Sequence, residues 1–265
     1  MSDPRPIGVF DSGVGGLTVV RRLREEFPRE SFLFLGDTAR LPYGTKSRET
    51  VERYSLANVG FLLARDVKFL VVACNTASAL ALDSIERISP VPVVGVIEPG
   101  AEAAVATGRR RIGVIGTEAT IASGAYVRAI SRRAADREVI ARACPLFVPL
   151  AEEGWTENPV ARATAEIYLA PFREEKIEAL VLGCTHYPLL KTTIATTLPG
   201  VVLVDSADAV CEAVRPLLTP ARRNEDESEY HVCVTDAAQR FRIVAERFLG
   251  RAIDRLEHVE ITGAG

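Results

Sequence analysis

The feature that most constrains this sequence is its alternation of short apolar runs with longer amphipathic stretches. The runs are rich in β-branched residues and predict strands at Ile7–Phe10, Phe32–Leu35, Phe69–Ala73, Val91–Ile97, Ile112–Ile115, Val139–Ala143, Ile177–Leu182 and Val201–Val204. In the stretch 16–27, Leu17, Val20 and Leu23 recur at the spacing of one helical face. Strands that are apolar on both faces and alternate with helices form parallel sheets covered by helices on both sides. We therefore predict an α/β protein with doubly wound, mainly parallel sheets.

A weak internal repeat predicts that the chain has two similar halves. Pro6–Ser12 resembles Arg111–Thr117, and Phe69–Thr76 resembles Ala179–His186 in the same order. Chance similarity between parallel strands is the alternative explanation. We predict two pseudo-symmetric α/β domains with a cleft between them. The first domain is expected at 1–98 with a returning C-terminal segment, 207–265, and the second at 99–206. Arg222–Glu229 in that returning segment predicts a solvated loop.

Composition excludes several classes of function. The 265 residues carry a net charge of −3 without a basic stripe, so nucleic acid is not an expected partner. No apolar run approaches the roughly 18 residues of a membrane helix, and the first residues lack a secretory pattern. The five cysteines are widely spaced without a Cys-x-x-Cys pair, which argues against a disulfide framework or zinc ribbon. We predict a cytoplasmic protein with free thiols and no metal.

Polar side chains follow the predicted strands, at the edge where parallel sheets bind ligands. These strand-end segments are Asp11–Gly16, Gly36–Thr38, Pro42–Gly44, Cys74–Thr76 and Cys184–His186. The glycine-rich segment after the first strand matches neither the Walker pattern nor the full dinucleotide fingerprint, so it is weak support for a nucleotide site. Its amides suit an anion such as a carboxylate, or simply form a tight turn.

Two cysteines stand apart from the others. Cys144, Cys211 and Cys233 lie in apolar surroundings typical of core residues. Cys74 and Cys184 each follow a predicted strand, precede polar residues and hold equivalent positions in the two halves. Inverting a carbon that bears an acidic hydrogen needs a base on one face and an acid on the other, and two thiols suit that task. A redox pair and a metal site are the alternatives.

At these positions the sequence resembles the aspartate/glutamate racemase family, and within it the glutamate racemases. The matching strings are GVFDSGVGGLT at Gly8–Thr18, GDTARLPYG at Gly36–Gly44, ACNTAS at Ala73–Ser78, IGVIGT at Ile112–Thr117 and GCTHYPLL at Gly183–Leu190. They run in order along most of the chain, and the two cysteine-containing strings are highly specific. No string after about Thr219 matches.

The resemblance implies a cofactor-independent racemase whose substrate lies between the two domains. It implies that Cys74 acts on D-glutamate and Cys184 on L-glutamate, with Asp11 and His186 tuning or assisting the thiols. A further acidic residue on the second-domain side is expected at Glu152, although its neighbour Glu153 competes for that assignment. Substrate-binding hydrogen bonds are expected from Asp11, Ser12, Tyr43, Gly44, Asn75, Thr76, Thr185 and His186.

The resemblance also implies that the chain supplies D-glutamate for peptidoglycan and forms a homodimer, with glutamate as its small-molecule partner. Closure of the domains over the ligand predicts hinges near residues 97–100 and 205–208. An aspartate or hydantoin racemase, and an amino-acid-binding module without turnover, remain alternatives. So do plainer roles for single residues: Asp11 as a helix cap, His186 as a packed side chain and Glu152 as a surface carboxylate.

Overall fold

The computed structural model describes residues 3–218, 228–236, 238–253 and 255–261, and only the backbone of 238–240. Most of the predicted loop at Arg222–Glu229 therefore lies outside the described residues. Among the described residues, no helix combines the length and apolar composition needed to cross a lipid bilayer.

The described residues form two sheets in which every strand pair is parallel. The six-stranded sheet has the order β10-β9-β2-β1-β3-β4, and the four-stranded sheet has the order β6-β5-β7-β8. The strands of the larger sheet are β1 (Ile7–Asp11), β2 (Phe32–Gly36), β3 (Phe69–Val72), β4 (Val93–Gly95), β9 (Tyr230–Val234) and β10 (Arg255–His258). Those of the smaller sheet are β5 (Arg111–Gly116), β6 (Glu138–Ala143), β7 (Ala179–Gly183) and β8 (Val202–Asp205).

The strand order confirms the predicted pseudo-symmetric fold. The run β2-β1-β3-β4 has the same order as β6-β5-β7-β8, so the first strand of each half is central in its sheet. The sequence repeat maps onto this symmetry, because its members fall on β1 and β5 and on β3 and β7. Strands from 7–95 and 230–258 form one sheet, and those from 111–205 form the other. The exact domain boundaries stay a prediction.

Helices flank both sheets. They are α1 (Leu17–Glu26), α2 (Arg48–Leu63), α3 (Asn75–Leu80), α4 (Leu82–Ile88), α5 (Ile97–Ala106), α6 (Glu118–Ala122), α7 (Ala125–Arg133), α8 (Phe147–Glu153), α9 (Pro159–Glu174), α10 (Lys191–Thr197), α11 (Ser206–Val214) and α12 (Ala238–Leu249). Short 3-10 turns lie at Tyr43–Thr45, Tyr187–Leu190 and Arg215–Leu217. The apolar face predicted for α1 is buried.

Local signals explain where several helices begin. The Asn158 side chain accepts a hydrogen bond from the Ala161 amide, and Pro159 occupies the first turn of α9, where its missing N–H is not needed. Ser47 caps α2 in the same way through the Thr50 amide. Each cap satisfies a backbone N–H of the first turn that has no partner within the helix.

Two stretches differ from the sequence prediction. The strand expected at Val91–Ile97 is only Val93–Gly95, and Ile97 begins α5. Pro92 precedes the strand, and Pro99 is tolerated in the first turn of a helix, so the apolar run divides between two elements. Strand β10 carries the mixed sequence RLEH at the edge of its sheet, and this polar pattern gave no strand signal.

The core is continuous across the two halves. One cluster of buried apolar side chains joins Val9 of β1 and Leu17 of α1 to Phe147 of α8 and Leu182 of β7. Smaller clusters lie on the α2 side of the larger sheet and between α5 and β5. The halves are therefore packed against each other behind the carboxyl ends of their strands.

Candidate functional site

One cavity of about 190 Å³ lies where the strand ends of the two halves meet. Its walls contain most of the residues singled out from the sequence: Ser12, Tyr43, Gly44, Cys74, Asn75, Thr76, Glu152, Cys184, Thr185 and His186. Parallel strands present their carboxyl ends at one edge, which is why residues far apart in sequence converge here. The small volume favours a ligand of amino-acid size.

Cys74 lies between β3 and α3 and is only 5% exposed. Its sulfur accepts a hydrogen bond from the Ala77 amide at 3.5 Å and lies 3.5 Å from the Ser12 hydroxyl. Burial, together with the nearby Asp11 carboxylate, raises the pKa of the Cys74 thiol to about 12. At neutral pH this side of the cavity therefore holds a proton donor.

Cys184 lies on the opposite half, at the end of β7, and is also 5% exposed. Its sulfur is 3.8 Å from Nδ1 of His186, whose Nε2 is 3.0 Å from a carboxylate oxygen of Glu152. Burial by itself would lower the pKa of His186, but the hydrogen bonds to Cys184 and Glu152 outweigh it and raise the pKa to about 10. At neutral pH a positively charged imidazole therefore lies between the Cys184 sulfur and the Glu152 carboxylate.

The two sulfurs thus lie on one cavity in different surroundings. The first is a buried thiol beside a carboxylate, and the second has a charged imidazole and a further carboxylate behind it. Two cysteines that face one ligand in this way have the arrangement needed to exchange protons with both of its faces. None of the five cysteines, all within the described residues, forms a disulfide.

Asp11 is fully buried beneath the cavity wall and does not line the cavity itself. Its carboxylate accepts the Gly13 amide at 3.0 Å and the Thr185 hydroxyl at 3.5 Å. Burial raises its pKa, while the charge of His186 acts in the opposite direction. The anion held by the glycine-rich turn is therefore the chain's own carboxylate.

The glycine-rich turn also brings the two halves into contact. A Cβ atom added at Gly15 would lie 2.1 Å from the Thr185 hydroxyl oxygen and 2.6 Å from the His186 ring. On the other side of the cavity, a Cβ at Gly44 would lie 2.7 Å from the Thr117 side chain. Glycine is required at both positions because the halves approach too closely for a side chain.

Asn75 offers an unused hydrogen-bond donor. The Tyr126 hydroxyl donates to its Oδ1 at 2.7 Å, which fixes the orientation of the amide. The Nδ2 atom is buried and has no hydrogen-bond partner among the described residues. A buried amide without a partner is costly, so this group suits a ligand carboxylate.

The Tyr43 hydroxyl, which belongs to a residue of the cavity wall, takes part in a buried hydrogen-bond network. It donates to the buried Asp37 carboxylate and accepts from Nδ2 of Asn58 at 3.0 Å. Arg40 Nε, 2.8 Å from Asp37, closes the network. Because the hydroxyl proton is committed to Asp37, a hydrogen bond from this segment to a ligand would have to come from its backbone.

Glu152 and Glu153 separate clearly in the structure. Glu152 lines the cavity beside His186 and also borders a neighbouring surface pocket with Thr38 and Phe241, whereas Glu153 borders that second pocket and does not line the cavity. The difference follows from α8, on which successive residues point about 100° apart.

Sequence reasoning missed several residues of this cavity. They are Leu41, Thr45, Thr117, Glu118, Pro145, Val148 and Pro149. Thr117 had a signal, because the internal repeat aligns it with Ser12. Its hydroxyl lies 3.0 Å from that of Thr76, across the contact between the halves.

The C-terminal segment also reaches the site, although it carries no recognisable motif. The ring of Phe248 on α12 meets His186 edge to face, with ring centres 5.1 Å apart. Its neighbour Arg247 donates a hydrogen bond to the backbone carbonyl of Glu152. Helix α12 therefore supports the His186–Glu152 pair from behind.

Comparison with known proteins gives a consistent result. The sequence pattern of the Asp/Glu/Hydantoin racemase family matches residues 7–214. "Glutamate racemase" of Geobacter metallireducens is 52% identical over 97% of both chains. The crystal structure of glutamate racemase from Francisella tularensis in complex with D-glutamate has a TM-score of 0.91 at 39% identity and covers 98% of both chains.

Two further structures extend the comparison. Glutamate racemase from Thermus thermophilus in complex with β-chloro-D-alanine has a TM-score of 0.88 at 46% identity, covering 98% of this chain and 99% of that one. The aspartate racemase of Picrophilus torridus shares the fold, with a TM-score of 0.60 at 18% identity over 80% of this chain and 94% of its own.

Proposed function

This chain belongs to the Asp/Glu/Hydantoin racemase family, and we propose that it interconverts L-glutamate and D-glutamate by a two-base mechanism. The observation that carries the proposal is the presence of Cys74 and Cys184, one from each half, in the wall of a single cavity. Two relatives named glutamate racemase are 52% and 51% identical to this chain over 97% of its length, which supports glutamate as the substrate.

In the proposed reaction the Cys184 thiolate removes the α-hydrogen of L-glutamate as a proton. The C–H electron pair remains on the substrate as an enolate-like carbanion, and the Cys74 thiol then donates its proton to the opposite face. The product is D-glutamate, and the two sulfurs have exchanged protonation states. The reverse reaction starts from the Cys74 thiolate. No redox change occurs, and no added cofactor is required.

The carbanion needs stabilisation, since the amino acid forms no bond to an electron-withdrawing cofactor. Preorganised hydrogen-bond donors in a site with little water serve this purpose. The Asn75 amide and the hydroxyls of Ser12, Thr76 and Thr117 line the cavity and suit the substrate carboxylates.

The direct test is to replace each cysteine separately and follow racemisation together with deuterium uptake in heavy water. Cys74→Ala and Cys184→Ala should each reduce racemisation by at least about 100-fold, because each removes one proton-transfer group. Any remaining exchange should be confined to one enantiomer: L-glutamate for Cys74→Ala and D-glutamate for Cys184→Ala. Full racemisation by either variant would contradict the two-base mechanism.

Cys211→Ala provides a matched control, because this thiol is buried on α11 and does not line the cavity. It should retain normal exchange with both enantiomers. Side-by-side assays with aspartate test the substrate assignment, and a faster reaction with aspartate would overturn it.

We further propose that the protein works in the cytoplasm as a homodimer and that its product supplies D-glutamate for peptidoglycan. Depletion of the protein from its host should then arrest wall synthesis, and external D-glutamate should restore it. A wall unaffected by depletion would contradict this role. Sedimentation of the purified protein tests the dimer.

A further inference from the structure

Three side chains with metal-binding atoms meet on the outer strands of the larger sheet, separate from the cavity. They are His231 and Cys233 on β9 and Glu257 on β10. His231 Nε2 lies 2.8 Å from a Glu257 carboxylate oxygen and 3.8 Å from the Cys233 sulfur. All three ligand atoms lie within 4.8 Å of one another.

The strand geometry produces this cluster. His231 and Cys233 are two residues apart, so their side chains point to the same face of β9. Glu257 pairs with Cys233 in the parallel register between β10 and β9, which places its side chain on that face as well. The cluster therefore depends on strand pairing rather than on a local sequence motif.

The distances suit a tetrahedral ion. With bonds of about 2.3 Å to sulfur and about 2.0–2.1 Å to nitrogen or oxygen, neighbouring ligands stand roughly 3.4–3.6 Å apart. The sulfur-to-nitrogen distance of 3.8 Å is close to this value. The nitrogen-to-oxygen distance of 2.8 Å requires a small opening, and the Glu257 side chain, 41% exposed, is free to make it.

Burial and charge define the kind of ion. Cys233 is fully buried, whereas His231 and Glu257 are partly exposed, so a fourth ligand would come from solvent. A thiolate and an imidazole together favour borderline-soft ions such as Zn²⁺ over Mg²⁺ or Ca²⁺. The side chains of Arg65 and Arg255 bring positive charge close to His231. The Glu257 carboxylate and the Cys233 thiolate together carry two negative charges, which balance the two positive charges of the ion.

We propose that His231, Cys233 and Glu257 bind one Zn²⁺ ion that ties edge strand β10 to β9. On binding, the Cys233 thiol releases its proton to solvent and the sulfur becomes a thiolate ligand. The hydrogen bond between His231 and Glu257 is replaced by two bonds to the ion. The proposal is independent of the racemase reaction and assigns Cys233, which the sequence marks only as a core residue, a second role.

The test uses full-length protein without an affinity tag, titrated with Co²⁺ as a spectroscopic substitute for Zn²⁺. The background carries Cys74→Ser and Cys184→Ser, so that the thiols of the cavity cannot contribute. One equivalent of Co²⁺ should produce a thiolate-to-cobalt charge-transfer band and tetrahedral visible bands, and Zn²⁺ should abolish them. Zn²⁺ should also raise the melting temperature.

Ligand variants and a matched control decide the result. In the same background, Cys233→Ser should remove the charge-transfer band, and Glu257→Gln, at a partly exposed position, should weaken Zn²⁺ binding by at least about tenfold. His258→Gln, on the next residue of β10, should bind normally. Absence of the band in the background protein, or its persistence in Cys233→Ser, would overturn the proposal. An equal loss of affinity in His258→Gln would do the same.

Discussion

At the scale of single residues, the two cysteines differ in what stands behind them. Asp11 lies near Cys74, whereas His186 and Glu152 form a chain behind Cys184. Burial and the Asp11 charge keep Cys74 a thiol, whereas a positively charged imidazole lies beside Cys184. Because the Cys74 thiol is a proton donor at neutral pH, we expect the free protein to react first with L-glutamate under the proposed mechanism.

The first residue-scale prediction concerns the Asn75 amide. Asn75→Ala should reduce kcat/KM for glutamate by about 10- to 100-fold, because a hydrogen bond to a charged carboxylate contributes roughly 1.5–3 kcal/mol. Tyr126→Phe should produce a smaller loss, since the amide remains but its orientation is no longer fixed. Steady-state kinetics measure both effects. Unchanged kcat/KM in Asn75→Ala would show that the amide does not bind substrate.

The second residue-scale prediction concerns stability at alkaline pH. The folded-state pKa of His186, about 10, lies above its ordinary 6.5, so its stabilising contribution is complete below pH 6.5 and is lost as the pH rises through 10. The raised pKa of Cys74, about 12, extends the loss in the same direction. The free energy of unfolding should fall by a few kcal/mol between about pH 7 and pH 10.

Urea unfolding at a series of pH values measures this dependence. His186→Asn should flatten the curve over the range attributed to His186, whereas His258→Asn, at an exposed position, should leave it unchanged. A wild-type curve that rises with pH over this range would contradict the assigned direction of the pKa shift.

At the scale of secondary-structure elements, α12 links the end of the chain to the second half of the site. The Phe248 ring packs against His186, and Arg247 holds the backbone of Glu152. In the sequence, Asp236 is a candidate cap for a helix that ends near Gly250, but neither residue indicates which distant side chain the helix contacts. Thr117 is a different case, because the internal repeat aligns it with Ser12 and so gave a signal in the sequence.

The element-scale prediction is that α12 positions His186 for proton transfer. Phe248→Leu should lower kcat by about tenfold while KM changes little, because a small displacement of a catalytic group is costly whereas substrate-binding groups are untouched. It should also shift the pH profile of the L-to-D reaction, which a general loss of stability would not do. Ile243→Ala, an exposed position on the same helix, is the control. Equal effects of the two substitutions would sink the prediction.

The boundaries of helices and strands show where the local sequence pattern no longer predicts the structure. Asn158 and Pro159 specify the start of α9 through a cap and a restricted backbone, so that start was predictable. The apolar run at 91–97 contains Pro92 and is followed by Pro99 but has no side-chain cap, so the point at which it divides between β4 and α5 depends on how far β3 offers hydrogen-bond partners. Pairing extends only to Gly95, and the chain then turns into the helix.

At the scale of the whole molecule, the cavity lies between two halves that meet through close backbone approaches. The chain passes between the sheets at 97–100 and 205–208, which are the first turns of α5 and α11. Strand-to-helix junctions of this kind can absorb a rotation without disturbing either sheet.

The whole-molecule prediction is that glutamate closes the cleft by rotation about these two junctions. Trp155 is the single tryptophan of the sequence and lies just after α8. The preceding residue, Gly154, packs against the Arg247 guanidinium of α12. The fluorescence of Trp155 should change saturably with glutamate, and crystals grown with and without glutamate should differ in the angle between the sheets. Each sheet should superpose on itself in the two crystals. Identical angles would exclude closure.

The sequence by itself determined the fold class, the two-fold repetition and the side chains at the strand ends. The spacing of apolar residues and the helix caps are local properties of the chain, so they can be read without the structure. Only the tertiary structure decided that Asp11 lies beneath the wall, that the Tyr43 proton goes to Asp37 and that α12 supports His186. It likewise decided that His231 and Glu257 meet. Such contacts join residues distant in sequence, and their geometry follows from strand register and helix packing, which no local pattern encodes.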